Sequence, residues 1–154
     1  MKKVVKFGGS SLASAAQFEK VGEIIRADKH RAYVVPSAPG KRFSEDTKVT
    51  DMLYGCYALA DADKDYAKEL ADIKARYDEI ISGLKLNISL EEEFKTIDAQ
   101  FKAKAGKDYA ASRGEYLNGI IMAAYLGFEF VDAAKIIRFA DTGEFDAVTT
   151  QQIA

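Results

Sequence analysis

The apolar residues at the start of the chain follow two different spacings. Val4, Val5 and Phe7 make a short apolar run, which predicts a strand buried on both faces, as in a parallel sheet. Ser14 and Gln17 then form a capping-box pattern, and apolar residues recur at helical spacing after it. We therefore expect a strand that leads into a helix beginning at Ser14.

The next segment predicts a second strand and a second helix. Residues 32–36 are mostly apolar, residues 37–40 read Ser-Ala-Pro-Gly and predict a turn, and residues 41–48 are polar. A helix is expected to begin near Thr50, because apolar residues recur there at helical spacing, at Met52, Leu53, Cys56 and Leu59. The order strand, helix, strand, helix predicts the opening of a parallel α/β sheet.

The middle of the chain, residues 63–104, predicts two amphipathic helices joined by a short turn, which is a helical hairpin. Gly83 is expected to cap the end of the first helix, and Ser89 with Glu92 is expected to cap the start of the second. This segment contains no evident constellation of catalytic residues. The apolar positions that carry the prediction are Tyr66, Leu70, Ile73, Tyr77, Ile80 and Leu84, then Leu90, Phe94, Ile97 and Phe101.

The last third of the chain returns to an α/β pattern. The segment from Ser112 to Glu115 is expected to open a helix that Gly127 ends, with residues 128–131 as a third strand. A short apolar piece at 136–137 and a polar end follow. Few strands are predicted for a complete α/β domain, so we expect the chain to be part of a larger domain.

Composition and charge exclude several classes of protein function for this chain. The chain has 154 residues, a net charge of −2 and 48% hydrophobic residues, which indicates one domain without the basic face of a nucleic-acid-binding protein. Its single cysteine, Cys56, excludes an internal disulfide and suits a reducing cytoplasm. We expect a cytoplasmic protein without a membrane partner, since neither a signal-peptide core nor a membrane-spanning run occurs. The single histidine, His30, lies among charged residues and is expected in a solvated loop, so no metal site is predicted.

Lys6 stands near the end of the first predicted strand and is followed by Phe7, the pair Gly8 and Gly9, and then Ser10. A strand, a glycine turn and a helix start together form an arrangement that can bind phosphate. A plain turn with a lysine extending to water explains the same residues, so both interpretations remain open. The segment matches neither the dinucleotide-binding motif nor the P-loop, which argues against both of those folds.

Several separated segments resemble the aspartate kinases of the amino acid kinase superfamily. Residues 6–11, Lys-Phe-Gly-Gly-Ser-Ser, resemble the N-terminal signature of these enzymes. The strand end at Ser37 with the helix start at Thr50 resembles their second substrate segment. Residues 112–117, Ser-Arg-Gly-Glu-Tyr-Leu, resemble their next helix start, and segment 131–138 resembles the strand that follows. The order and spacing of these matches agree with the family.

The resemblance implies the N-terminal half of an amino-acid-kinase-like parallel α/β/α sandwich, with an inserted helical hairpin at about residues 63–104. It implies transfer of the γ-phosphoryl group of ATP, with Mg²⁺, to the side-chain carboxylate of L-aspartate, the first step toward lysine, threonine and methionine. Complete family members continue with a nucleotide-binding half and regulatory ACT domains, and nothing in residues 1–154 resembles them. We therefore expect this chain to be inactive alone and its full-length parent to be a homo-oligomer.

The resemblance also assigns roles to individual residues. Lys6 would stabilise the charge that builds up on the transferred phosphoryl group, and its neighbours would bind the phosphates of ATP. Two hydroxyl groups and a carboxylate would hold the amino-acid substrate, with the carboxylate at its ammonium group. The expected phosphate-binding residues are Lys6, Phe7, Gly8, Gly9 and Ser10, and the expected substrate-binding residues are Ser37, Thr50 and Glu115.

Other interpretations of the same residues stay open. Thr50 is a good helix N-cap in its own right, and Ser112 with Glu115 forms a capping box that needs no substrate. The protein could be another amino acid kinase with a different acceptor. It could also be a non-catalytic interaction module whose working surface is the helical hairpin 63–104, although that hypothesis leaves the strand with Lys6 unexplained.

Overall fold

The computed structural model describes residues 1–153 and begins with a parallel β-α-β unit. The two strands pair in parallel, with Val5 opposite Val34 and Phe7 opposite Pro36. Ser14 is the N-cap of the connecting helix, and its hydroxyl accepts a hydrogen bond from the Gln17 N–H at 3.4 Å, as predicted. The unit consists of β1 (Lys3–Phe7), a short 3-10 helix (Gly9–Leu12), α1 (Ala15–Arg26) and β2 (Arg31–Pro36).

Six further helices follow the second strand. They are α2 (Val49–Asp61), α3 (Ala67–Gly83), α4 (Glu91–Lys102), α5 (Lys107–Leu126), α6 (Ala133–Ile136) and α7 (Ala147–Ile153). The predicted helical hairpin corresponds to α3 and α4, which both pack against α2 and α5. The core lies where α2, α3, α4 and α5 meet α1, and its largest fully buried side chains are Tyr77, Phe18, Phe101, Leu12, Leu53 and Ile73. None of the helices in the described part of the chain has a stretch long and apolar enough to cross a bilayer.

Only one face of the two-stranded sheet is covered. Val5, Phe7 and Val34 point to the face that packs on the helical core. On the other face, Val4 is 70% exposed and Tyr33 is 53% exposed. The prediction that the first strand is buried on both faces was therefore wrong for the described residues, because the helices among them cover a single side of the sheet.

Three predicted helix ends differ from the structure by one or two residues. Lys48 is the N-cap of α2, so Thr50 is its second residue and not its cap. Gly83 is the last residue of α3 and Leu84 is the cap. Gly83 has a packing role instead, since a Cβ atom there would lie 2.5 Å from the Cβ of Ala15. Ser89 accepts a bond from the Glu91 N–H at 3.2 Å but precedes the N-cap, which is residue 90.

Helix α5 begins earlier than predicted. It starts after Gly106, whose φ of 99° favours glycine, so Ser112 and Glu115 lie inside the helix and form no capping box. The Ser112 hydroxyl instead donates to the Tyr109 carbonyl at 2.7 Å. Gly127, with a φ of 71°, ends the helix as predicted.

The predicted third strand, 128–131, is absent from the described residues, where the chain runs as a loop after α5. The Phe130 ring packs edge-on against Tyr116, with ring centroids 5.5 Å apart. An added Cβ on Gly119 would lie 2.8 Å from the same Phe130 ring. Phe130 therefore packs on α5, whereas Phe128 and Val131 are exposed, since the described sheet contains only β1 and β2.

Cys56 and His30 lie where the sequence predicted. Cys56 is fully buried among the core residues, and burial raises the pKa of its thiol to about 12, which makes it unreactive. The His30 side chain is 48% exposed and its Nδ1 lies 2.9 Å from an Asp28 carboxylate oxygen.

Candidate functional site

A cleft of about 450 Å³ opens at the carboxyl ends of β1 and β2. Ligands of parallel α/β folds commonly bind outside this end of the sheet. The 3-10 helix, the loop after β2, the start of α2 and one turn of α5 supply its walls. The lining residues are Gly9, Ser10, Ser37, Ala38, Pro39, Gly40, Lys41, Lys48, Thr50 and Glu115.

The floor of the cleft is a close contact between two backbone segments. The Gly40 N–H donates to the Gly9 carbonyl at 2.8 Å, and the Ser37 N–H donates to the Phe7 carbonyl at 3.0 Å. A Cβ atom on Gly40 would lie 2.6 Å from the carbonyl carbon of Gly9. A Cβ on Gly9 would lie 2.8 Å from the Ala38 carbonyl oxygen. Both positions therefore require glycine for space, since neither neighbour is a flexible side chain.

Helix α5 forms one wall and bonds directly to the segment after β2. Gly114 lets the helix approach, because a Cβ there would lie 2.6 Å from the Cβ of Ala38. The Glu115 carboxylate accepts from the Ala38 N–H at 3.4 Å, and the buried Asn118 donates its side-chain N–H to the Ser37 carbonyl at 2.7 Å. That bond fixes the orientation of the Asn118 amide, whose oxygen has no hydrogen-bond partner among the described residues.

Charged groups of both signs line the cleft. Lys41 and Lys48 come from the loop 41–48, and Glu115 comes from α5. The Lys41 ammonium also donates to the Ser44 carbonyl at 3.1 Å. A site with two ammonium groups, one carboxylate and hydroxyl groups suits a zwitterionic ligand that carries additional negative charge.

Five of the eight predicted site residues line this single cleft. Gly9 and Ser10 come from the 3-10 helix, Ser37 follows β2, Thr50 is in the first turn of α2, and Glu115 is in α5. Gly9 and Glu115 are more than a hundred positions apart in the sequence, and the fold brings them together.

The other three predicted residues lie outside the lining. Lys6 is exposed on β1, opposite Val35, and its ammonium group has no hydrogen bond or ion pair with the described residues. The Phe7 side chain is half-buried against the core. Gly8 has an extended backbone with φ of −76°, and an added Cβ would meet nothing within 4 Å, so neither space nor conformation requires glycine there.

Comparison with known proteins shows the family. The model of the amino acid kinase family matches residues 1–154. The chain belongs to the amino acid kinase family. This result confirms the superfamily that the segments around Lys6, Ser37 and Glu115 predicted.

Relatives of this chain within the family include bacterial aspartate kinases. Aspartokinase 3 of Bacillus subtilis (strain 168) is 41% identical over an alignment of 152 positions, which covers 93% of this chain and 33% of that protein. The crystal structure of Clostridium acetobutylicum aspartate kinase superposes with a TM-score of 0.93 at 45% identity, over 99% of this chain and 35% of the other. The chain therefore spans about a third of the length of these relatives.

A more distant structure shares the fold. Escherichia coli aspartokinase III, solved in complex with aspartate and ADP, matches with a TM-score of 0.78 at 20% identity, over 100% of this chain and 37% of that one. At this identity the match shows the fold alone. Together with the C. acetobutylicum structure, it confirms the predicted α/β fold with parallel strands.

Several residues that shape the cleft were not predicted from the sequence. Lys41 and Lys48 gave no signal beyond membership of a polar loop. Arg76 and Asn118 did carry one, because each occupies an apolar position of its helical pattern and is nonetheless polar. A polar residue in a predicted core face indicates a buried hydrogen-bonding role.

Proposed function

We propose that residues 1–154 form the N-terminal part of the kinase domain of an aspartate kinase. The full-length enzyme would transfer the γ-phosphoryl group of ATP to the side-chain carboxylate of L-aspartate. The observation that carries this proposal is the cleft that gathers Ser37, Thr50 and Glu115, three residues of separate substrate-like segments. The high similarity to C. acetobutylicum aspartate kinase over 99% of the chain supports the same acceptor.

The charges of the cleft fit an acidic amino acid. Glu115 would bind the ammonium group, since a carboxylate attracts it far more strongly in a partly dry site than in water. Ser37 and Thr50 would orient the substrate through their hydroxyl groups. Lys41 and Lys48 add positive charge along the lining, which favours an acceptor with a second carboxylate.

Lys6 is our candidate for stabilising the transferred phosphoryl group. It extends from β1 three residues before the 3-10 helix begins, and its ammonium group has no partner among residues 1–153 that would compete with a phosphate. Phosphoryl transfer depends mainly on positioning and on neutralising the oxygens of the phosphoryl group. Phe7, Gly8, Gly9 and Ser10 would hold the ATP phosphates beside it through the backbone and the serine hydroxyl.

ATP is proposed to enter with Mg²⁺ bound to its own phosphates. The ion would neutralise charge on the phosphate oxygens, while the residues of this chain orient the acceptor and the phosphoryl group.

We also propose that the full-length protein works in the cytoplasm as a homo-oligomer without nucleic-acid or membrane partners. The single buried Cys56 is consistent with a reducing compartment.

A coupled assay of ADP release tests the function. We expect the full-length enzyme to release ADP with L-aspartate as acceptor, and residues 1–154 alone to show no appreciable turnover. Glutamate and acetylglutamate serve as matched acceptors. If the full-length enzyme prefers either of these acceptors, aspartate is not its substrate. If residues 1–154 alone turn over near the full-length rate, the proposal that they are only part of the kinase domain is refuted.

A further inference from the structure

Two neighbouring side chains on the buried face of α3, Arg76 and Tyr77, donate hydrogen bonds to backbone segments that form the cleft. Arg76 is 4% exposed and Tyr77 is fully buried. The Tyr77 hydroxyl donates to the Gly114 carbonyl at 2.9 Å, one residue before Glu115. Burial raises the pKa of Tyr77, and the Glu115 carboxylate adds to that effect, so the phenol keeps its proton and remains a donor.

Arg76 donates hydrogen bonds to the backbone near both ends of the loop 41–48. One guanidinium nitrogen donates to the Gly40 carbonyl at 2.9 Å, and another donates to the Thr47 carbonyl at 3.1 Å. The Gly40 carbonyl directly precedes the loop and the Thr47 carbonyl lies one residue before its end, so one rigid group fixes the separation of the two ends. Gly40 itself lines the cleft and touches the glycine floor.

The buried charge of Arg76 is matched by the loop itself. An Asp46 carboxylate oxygen lies 3.2 Å from the guanidinium and also accepts from the Arg42 side chain at 2.9 Å. Arg42 in turn pairs with Glu79 of α3 at 2.9 Å. Helix α3 therefore holds the loop through two of its own side chains, one buried and one exposed.

The loop carries the parts of the cleft that no strand supports. Lys41 and Lys48 are its first and last residues, and Thr50 follows two positions later. The Val49 N–H donates to the Pro39 carbonyl at 3.1 Å, which ties the start of α2 to the other end of the loop. A displacement of the loop would therefore move Lys41, Lys48 and Thr50 together.

We propose that Arg76 is a positioning residue of the acceptor site, which locks the loop 41–48 so that Lys41, Lys48 and Thr50 face Glu115. The proposal rests on the proposed function for its substrate. It gives α3 a role in catalysis without contact to any reactant. Arginine suits the role because its planar fork binds two carbonyls and a carboxylate at once, whereas a lysine ammonium is a point charge on a flexible stem.

The test compares Arg76→Lys with Lys74→Met in the full-length enzyme. Lys74 is the matched control, because it lies on the same helix and its only ion pairs among residues 1–153 are with Asp78 and Glu91, at 2.7 and 3.5 Å. In Arg76→Lys we expect the KM for the amino-acid acceptor to rise about tenfold, since small displacements of positioning groups have large kinetic costs. The KM for ATP should stay within about twofold of its original value, because the proposed phosphate-binding residues 6–10 lie outside the loop whose positioning is changed.

Hydrogen exchange supplies a second measurement that does not depend on the substrate. The amide of Asp46 is bonded to the Phe43 carbonyl, and the amide of Val49 is bonded to the Pro39 carbonyl. The exchange rates of both amides should increase in Arg76→Lys and should not change in Lys74→Met. If Arg76→Lys does not accumulate as folded protein, Asp46→Asn replaces it, since it keeps the side-chain shape and removes the ion pair. The acceptor KM and the exchange of the Val49 amide are then measured.

The outcomes separate the two proposals. If the enzyme does not use aspartate, the proposed function fails, and the positioning role is measured with whichever acceptor is used. Equal acceptor KM values in Arg76→Lys and Lys74→Met would overturn the positioning role. Faster loop exchange with an unchanged acceptor KM would also overturn it, because the loop would then be held for stability alone.

Discussion

The cleft and the helices α3 and α4 are built from different kinds of contact. In the cleft, two backbone segments are in direct contact, and the Gly40 N–H donates to the Gly9 carbonyl at 2.8 Å. In the helices, aromatic and aliphatic side chains interlock, and Phe101 packs edge-on against Tyr57 with ring centroids 5.3 Å apart. The exposed faces of these helices carry ion pairs at helical spacing, such as Lys68 with Asp72 at 2.6 Å.

This difference determines what each region tolerates. Side chains in an apolar core can be exchanged for others of similar volume at small cost. Two backbones in contact leave no such freedom, since any added Cβ atom must move one of the chains. We therefore expect substitutions in α3 and α4 to change stability and substitutions in the cleft to change substrate binding and turnover. Arg76 is the proposed exception that joins the two regions.

The largest expected effect is on stability. Phe101→Ala in α4 removes a fully buried ring that also lies 6.5 Å from the Tyr109 ring, and should cost about 3–5 kcal/mol. Thermal denaturation of the full-length enzyme measures this cost, with Phe101→Leu as a control that keeps most of the volume. At temperatures where the variant stays folded, its KM for aspartate should not change. A raised KM would break the separation between the regions.

Lys6→Met should have the largest effect on turnover. Methionine keeps the stem of the side chain and removes the charge, and the loss of one preorganised contact to the transition state lowers kcat about a hundredfold to a thousandfold. Stability should hold, since the exposed Lys6 has no polar partner in the described residues. Lys3→Met on the same strand is the control, because its exposed pair with Asp28 contributes little. A decrease in kcat of less than about tenfold would leave Lys6 without a catalytic role.

Two glycine substitutions compare the regions directly. Gly40→Ala forces a Cβ to within 2.6 Å of the Gly9 backbone and should cost about 1–3 kcal/mol of stability while raising the KM for aspartate. Gly55→Ala in α2 meets nothing within 4 Å and should stabilise the helix by about 0.5–1 kcal/mol. Melting temperatures and aspartate KM values of both variants test the comparison. Equal melting temperatures would show that the backbone at the floor of the cleft accommodates the added Cβ without loss of stability.

The smallest expected effect separates Glu115 from Ser112. Glu115→Gln should raise the KM for aspartate about tenfold, since a charged hydrogen bond contributes about 1.5–3 kcal/mol. Its stability should stay nearly unchanged, because glutamine can still accept from the Ala38 N–H. Ser112→Ala should alter stability by less than about 0.5 kcal/mol, because Ser112 lies inside α5 and caps no helix end. An unchanged KM in Glu115→Gln would remove this residue from the substrate site.

The sequence predicted the elements well where local signals are strong. The cap at Ser14 and the end of α5 at Gly127 depend on neighbouring residues, and both are confirmed. The start of α5 was placed too late because Ser112 and Glu115 imitate a capping box within a helix that begins at Lys107. The segment 128–131 was predicted as a strand from its apolar residues, yet a strand forms only where a partner strand is available.

Local chemistry therefore determined which residues of this chain form helices, which carry the candidate site, and which family they resemble. Tertiary structure decided the rest. It brought Ser37, Thr50 and Glu115 into one cleft, and it made glycine necessary at position 40 rather than at position 8. It also placed the Arg76 guanidinium within hydrogen-bonding distance of the loop 41–48. The physical reason is that helix propensity and capping act over a few residues. Space, buried charge and shared hydrogen bonds depend on segments that only the folded chain brings within a few ångströms of each other.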